Sequence, residues 1–288
     1  MAAANHAQQA AAPSRQPALG DREFRFLSRL VYEHTRIVLR PEKRDMLAGR
    51  LSRRLKALKL ADCAEYCAFL ASPAGNGELS EFINAVTTNV TGFFREPHHF
   101  EHLAKVALPE VTHALAQKGS SRLRLWSAGC STGQEPYSMA MTLAASLPNR
   151  PRWDARILAT DIDDAVLAKA KAGIYGLEQG TTIPPDYARR FTRPNQAETF
   201  RMTQEIHDLI TFKQLNLCND WPMSGPFDII FCRNVVIYFD KETQADFFDR
   251  AADILADHGW LYIGHSENLY NVTDRFIPAG ATTYRKRY

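Results

Sequence analysis

The chain has 288 residues, 45% hydrophobic and 23% charged, which is ordinary for a folded chain with a proper core and suits one large domain or two smaller ones. No apolar run approaches the ~20 residues of a membrane-spanning helix, and the Ala/Gln/Pro-rich stretch 1–20 lacks the basic-then-apolar pattern of a signal peptide. These features predict a cytoplasmic protein with a disordered tail over 1–20.

The net charge of +3 is unevenly spread. Between Arg36 and Lys59, nine basic residues (Arg36, Arg40, Lys43, Arg44, Arg50, Arg53, Arg54, Lys56, Lys59) stand against Glu42 and Asp45. This segment carries the positive field and points to an acidic partner, with a merely solvated helix face as the competing reading. The cysteines, Cys63, Cys67, Cys130, Cys218 and Cys232, are odd in number and scattered, as free thiols are. Cys63 and Cys67 share a helix face but no second ligand pair of zinc spacing follows. His98 and His102, near His99, read as solvated or capping residues, so no metal is expected.

From Asp21 to Leu70 the pattern is helical. Phe24, Leu27, Leu30 and Val31 recur at helical spacing, as do Leu47, Leu51, Leu55 and Leu58, with basic residues on the faces the leucines leave free. A turn cluster at Ser72–Gly77 separates this from a helical pattern over Glu78–Thr88. After about residue 120 strands alternate with helices. The predicted order is strand Arg122–Ser127, helix Pro136–Leu147, strand Arg156–Thr160, helix Ala165–Ala172, strand Phe227–Cys232, helix Lys241–Leu255 and strand Gly259–Gly264. Such alternation implies an α/β fold with a doubly wound, mainly parallel sheet. Between 176 and 212 the alternation lapses, and the short runs Thr199–Thr203 and Leu209–Phe212 predict a small antiparallel insertion.

Ligands of doubly wound sheets bind beyond the carboxyl ends of the strands. After the first strand comes Ala128-Gly129-Cys130-Ser131-Thr132-Gly133-Gln134-Glu135-Pro136-Tyr137. Its small residues let the backbone approach a ligand, and Pro136 suits a first helical turn. The spacing is not the dinucleotide fingerprint, and the lysine of a phosphate loop is missing. A structural tight turn is the plainer alternative. Asp161 ends the second strand, where a carboxylate can accept from both hydroxyls of a ribose, unless it caps the next helix, a role Asp163 also fits. Asn216 offers an amide for an adenine edge or a turn, and Arg233-Asn234 follow the fourth strand. Together they predict a nucleoside-type ligand.

Several stretches resemble the CheR family of chemotaxis-receptor glutamate methyltransferases. They are Thr87-Thr88-Asn89-Val90-Thr91-Gly92-Phe93-Phe94-Arg95-Glu96, Ser127–Ser138, Thr160–Asp163, Phe227–Phe239 and Gly264-His265-Ser266-Glu267-Asn268. The resemblance runs from about residue 21 to the C-terminus. It implies an S-adenosylmethionine-dependent methyltransferase fold, with an all-helical N-terminal domain and linker over 21–90. The cofactor domain would cover 91–288, with the β-subdomain inserted at 176–212. By the same resemblance, cofactor contacts fall on Asn89, Thr91, Arg95, Glu135, Asp161, Asn216, Leu217, Arg233 and Asn234. Arg95 and Tyr238 would be the catalytic residues, and S-adenosyl-L-homocysteine the product.

The implied acceptor is a glutamate on the cytoplasmic helical bundle of a chemoreceptor, which makes Arg50, Arg53, Arg54, Lys56 and Lys59 the docking face. Some family members grip a receptor tail peptide through a glycine-bearing turn of the β-subdomain. Here Phe191–Phe200 has no glycine and is short, so tail tethering is not expected. A nucleic-acid methyltransferase is disfavoured, because no Asn/Asp-Pro-Pro-Tyr/Phe run is visible and the basic residues sit apart from the sheet. A regulator that binds cofactor without transferring is disfavoured by Arg95, Tyr238 and the full strand-end set.

Overall fold

The computed structural model describes residues 18–147, 152–196 and 198–287. These form two compact units. The smaller gathers the described chain up to Leu30 with Arg40–Val86, and the larger joins Val31–Leu39 to the described chain from Thr87 onward. Of the tail expected over 1–20, residues 1–17 lie outside the described residues. Leu19 is buried and Gly20 accepts a hydrogen bond from Phe24 N, so ordered packing begins before Asp21.

The stretch Asp21–Leu70, read as helical throughout, is three helices: α1 (Asp21–Thr35), α2 (Arg44–Leu58) and α3 (Cys63–Leu70). Arg36 and Lys59 adopt left-handed backbone (φ 58° at both), which ends α1 and α2, and Asp62 caps α3 by accepting from Glu65 N. A fourth helix, α4 (Glu78–Val86), closes the unit. Leu47, Leu51 and Leu55 fill the buried stripe of α2. The basic residues of α2 divide between two faces. Arg54 pairs with Glu78 at 2.5 Å and Glu81 at 2.9 Å, while buried Glu78 also accepts from Tyr66 Oη at 2.8 Å. Arg50 donates to the Val86 and Ala85 carbonyls that end α4. Four residues apart, Arg50 and Arg54 share the stripe turned to α4. Only Arg53, Lys56 and Lys59 of the expected docking set are exposed.

The larger unit opens with α5 (Pro97–His102), a π-helical turn (Leu103–Ala107) and α6 (Leu108–Gln117). Strand β1 (Arg122–Ala128), α7 (Gln134–Ser146), β2 (Asp154–Asp161) and α8 (Asp164–Ala172) follow. Next come β3 (Ile174–Gly176), α9 (Pro185–Phe191), β4 (Thr192–Pro194), β5 (Thr199–Met202), the single turn α10 (Gln204–His207) and β6 (Ile210–Gln214). The chain ends with β7 (Phe227–Cys232), α11 (Lys241–Ile254), β8 (Leu255–Ile263), β9 (Phe276–Gly280) and β10 (Thr283–Lys286). A seven-stranded sheet runs β6-β2-β1-β7-β8-β10-β9, parallel from β6 to β8 and antiparallel at β10 and β9.

The antiparallel insertion is β3-β5-β4 and spans Ile174–Met202. This corrects the expected range of 176–212. Residues Ile210–Gln214 do not belong to the insertion; β6 pairs in parallel with β2, Ile157 opposite Ile210, at the edge of the main sheet. An edge strand covered on one face alternates in burial as an antiparallel strand does, so periodicity could not tell them apart.

Every residue of β7 is buried. Alternate side chains of the central strands enter two cores: Leu125, Ile157, Ile229 and Phe231 on one face, and Trp126, Ile230, Cys232 and Leu261 with Phe247 and Phe248 of α11 on the other.

Candidate cofactor site

From β1 the chain proceeds to β2 and β6 on one side, then returns to place β7 on the other. The order therefore reverses between β1 and β7, and the crevice beyond their carboxyl ends is where this architecture binds ligands. A cavity opens there. Its walls include Asn89, Thr91, Arg95, Glu135, Asp161, Asn216, Leu217, Arg233, Asn234 and Tyr238, so all ten candidate cofactor and catalytic residues lie around one space.

Two glycines let the walls close. Gly129 has φ 78°, and a Cβ there would lie 2.3 Å from Val235 Cγ2, so the loop after β1 meets the loop after β7 only without a side chain. Gly133 (φ 96°) starts α7 in contact with Ala170 and Tyr175.

Asp161 is buried at the end of β2. It accepts from Ser131 N at 2.7 Å and Asp163 N at 3.0 Å, while burial pushes its carboxyl above the ordinary range. The capping role falls to Asp163, which accepts from Ala165 N and Val166 N. Asp163 also receives Asn89 Nδ2 at 2.9 Å and Thr87 Oγ1 at 3.2 Å, which holds the Thr87–Thr91 segment against the end of β2. Asp161 is thereby released from the helix, and its carboxylate keeps acceptor capacity for a ligand.

A largely buried charge cluster forms part of the cavity wall. Arg233 Nη1 is 3.2 Å from Glu135 Oε2, its Nη2 is 3.4 Å from Glu96 Oε2, and Nη2 also donates to the Arg95 carbonyl. Glu135 takes a further hydrogen bond from Ser127 Oγ at 2.7 Å, and burial raises its carboxyl despite Arg233. Burial also acts to raise the Glu96 carboxyl, but the hydrogen bond from His265 and the Arg233 charge outweigh it and hold it at about 2. Arg95 spends one donor on the Val90 carbonyl, at 3.1 Å, and presents a half-buried guanidinium to the cavity.

Asn216 is more constrained than the sequence suggests. Its Nδ2 donates to His34 O at 2.6 Å and its Oδ1 accepts from Cys218 N at 3.0 Å. A ligand would find only its second N–H and second lone pair. Two wall residues, Thr35 and Ile37, had no sequence signal beyond the β-branched run Ile37-Val38. They arrive because Ile37 forms an isolated antiparallel bridge with Phe239, and Val38 N donates to Tyr238 O at 2.8 Å.

Of the histidines read as solvated or capping, only His98 is exposed. His99 is fully buried, with Nε2 2.8 Å from Thr282 Oγ1, and His102 Nδ1 meets Tyr262 Oη at 2.8 Å. Among the described residues, Glu96, His98 and His99 bring one possible metal-ligand atom each within 4.8 Å of one another. The positive charge facing Glu96 is supplied by Arg233.

The residues fit an adenosyl cofactor: a carboxylate at the second strand end, a glycine-lined crevice at the switch point, and a polar wall. The comparisons agree. Residues 89–285 match the family described as CheR methyltransferase, SAM binding domain, and residues 22–87 match the CheR methyltransferase all-alpha domain. The chemotaxis protein methyltransferases of Salmonella typhimurium and Escherichia coli are each 44% identical over 273 residues, covering 93% of this chain and 91% of theirs. A probable chemotaxis protein methyltransferase of Rhizobium etli is 42% identical over 260 residues, covering 89% of this chain and 96% of its own.

Proposed function

The chain belongs to the CheR methyltransferase family, and from that premise we propose that it methylates glutamate side chains of chemoreceptors, forming methyl esters that serve sensory adaptation. It is a methyltransferase, and S-adenosylmethionine is its cofactor. Likeness to chemotaxis protein methyltransferases over nine-tenths of the chain is the observation that carries the acceptor assignment.

The chemistry asks little acid–base work of the protein. A glutamate of ordinary pKa ~4.3 is already ionised near neutrality, so oxygen attack needs no general base. The cofactor, when bound, supplies an electrophilic methyl group. What remains for the chain is to bind, to align and to exclude water. Alignment of reacting atoms contributes up to ~7–11 kcal/mol in well-oriented systems. Asp161 receives the ribose hydroxyls. Arg95 holds a carboxylate and Tyr238 shapes the methyl channel, both from the cavity wall. Glu135 keeps Arg233 neutralised where water is excluded.

Docking falls to the exposed Arg53, Lys56 and Lys59, whose charge complements a glutamate-rich helical bundle. Esterification removes a negative charge from such a bundle and so biases its packing. The proposed site of action is the cytoplasm. Among the described residues no helix is long and apolar enough to cross a membrane. Tail-peptide tethering is not part of this proposal, and titration with receptor tail peptides is expected to show no binding.

The deciding assay offers labelled S-adenosylmethionine and receptor-containing membranes to the enzyme and tests the product for base-labile release. Base-labile label on receptor is expected. Label that enters RNA or DNA instead, or that resists base, would sink the assignment.

A further inference from the structure

We infer that Glu267 is a positioning residue that holds the loop after β7, and with it Asn234 and Tyr238, against the cofactor cavity. The inference rests on the cofactor-site reading above but not on the identity of the methyl acceptor.

Glu267 is 6% exposed, and its carboxylate is enclosed by backbone donors rather than by a cation. Oε2 accepts from Gly264 N at 2.5 Å and Asn234 N at 3.0 Å; Oε1 accepts from Val235 N at 3.0 Å and Ile237 N at 3.3 Å. Three of the four donors belong to the four-residue stretch that begins at Asn234. Burial pushes this carboxyl up, and the N–H groups work against that by favouring its charged form.

The shape of the loop explains why a carboxylate is needed. Asn234 takes left-handed backbone (φ 60°) and Val235 is right-handed (φ −113°, ψ −53°). Successive residues of opposite hand turn their N–H groups to one side, creating a concavity that binds anions. In many proteins such a concavity holds a ligand; here Glu267 fills it from within the chain. Gly264 permits the approach, since a Cβ there would come within 2.5 Å of Asn234 Nδ2. The outer side of the same turn faces the cavity, whose wall includes Asn234, Val235 and Tyr238. Removing the anion leaves several buried donors unsatisfied, and the adjoining cavity gives the turn room to open and recover them.

The test is a double-mutant cycle read by calorimetric binding of S-adenosyl-L-homocysteine to the full chain. It compares wild type, Asn234→Ala, Glu267→Gln and the double variant, with circular dichroism to confirm folding. Glutamine keeps the size but turns one acceptor into a donor facing backbone N–H groups, so affinity should fall about tenfold. If Glu267 acts through the turn, the double variant binds about as weakly as the worse single variant, because the two losses share one cause. Glu267→Asp keeps the charge at shorter reach and should lose less; it also serves if the glutamine variant does not fold. Wild-type affinity in both Glu267 variants, or losses that multiply fully in the double variant, would overturn the inference. Failure of receptor membranes to accept label would refute the acceptor assignment and leave this titration in force.

Discussion

Arg233 Nη1 lies 3.2 Å from Glu135 Oε2, joining the loop after β7 to the first turn of α7 inside the protein. The pair spans the two strand ends that flank the reversal of strand order, so one buried contact ties together the two sides of the cofactor crevice. Glu135→Ala leaves Arg233 with only the 3.4 Å contact to Glu96 among carboxylates. Losing one partner of a buried pair costs about 3 kcal/mol or more. Chemical denaturation should show that loss together with weakened binding of S-adenosyl-L-homocysteine; unchanged stability would mean the pair is not the brace it looks to be.

Asp161 and Asp163 separate two jobs that sequence alone leaves interchangeable. Asp161→Asn is expected to weaken cofactor binding about tenfold or more, since a carboxylate accepting from ligand hydroxyls makes charge-assisted bonds. The cap of α8 stays, so the stability cost is confined to the one buried backbone N–H that loses its acceptor, about 1–3 kcal/mol. Asp163→Ala should instead cost about 1 kcal/mol or more of stability through the lost cap. Calorimetric titration and thermal melts on both variants distinguish the roles, and reversed outcomes would reassign them.

The basic helix gives a third expectation. Reversing charge at Arg53, Lys56 and Lys59 together should slow methylation of receptor membranes about tenfold at low salt, through lost steering, and leave S-adenosyl-L-homocysteine affinity as it was. Arg54→Glu should act differently. It places a negative charge beside buried Glu78 and should lower the melting temperature of the chain. If the triple variant loses cofactor affinity, the docking role is wrong.

Acid should destabilise the protein in a defined window. Burial, aided by the Arg233 charge, pushes His99 down to about 3 from an ordinary 6.5. The unfolded chain therefore takes up this proton first. Stability present above pH 6.5 is lost progressively as pH falls toward 3. Glu96, held at about 2 against an ordinary 4.5, adds a loss of the same sign at lower pH. Glu135, Asp161 and Glu267, raised by burial, oppose it, since they favour the folded state once protonated. His99→Gln isolates one contribution: its melting temperature should fall less than that of wild type between pH 7 and about 4.5. Parallel curves would show that His99 does not hold its neutral form.

Much of the site was legible because strand ends are local events. Asp161, Asn216, Arg233 and the Gly129–Glu135 loop each follow a strand whose apolar run is visible in sequence, and a doubly wound sheet gathers such positions on one edge. Asn89, Thr91 and Arg95 follow no strand, and only the family's motif marked them. Ile37 was invisible, because its bridge to Phe239 crosses about two hundred residues of chain and leaves no local period. The same limit hid the division of α2, where Arg50 and Arg54 look like neighbours of Arg53 until α4 supplies Glu78 and two carbonyls.

Sequence by itself determined the alternation of strands and helices and the polar residues at the strand ends, because periodicity and turn chemistry are short-range. Tertiary structure decided which of two equivalent groups does which job. Asp163 rather than Asp161 caps α8; Glu267 rather than a ligand fills the concavity after β7; β6 joins the main sheet rather than the insertion. In each case the deciding interaction is a hydrogen bond or pairing whose partner becomes available only when distant segments pack together, and burial then makes the unpaired alternative costly.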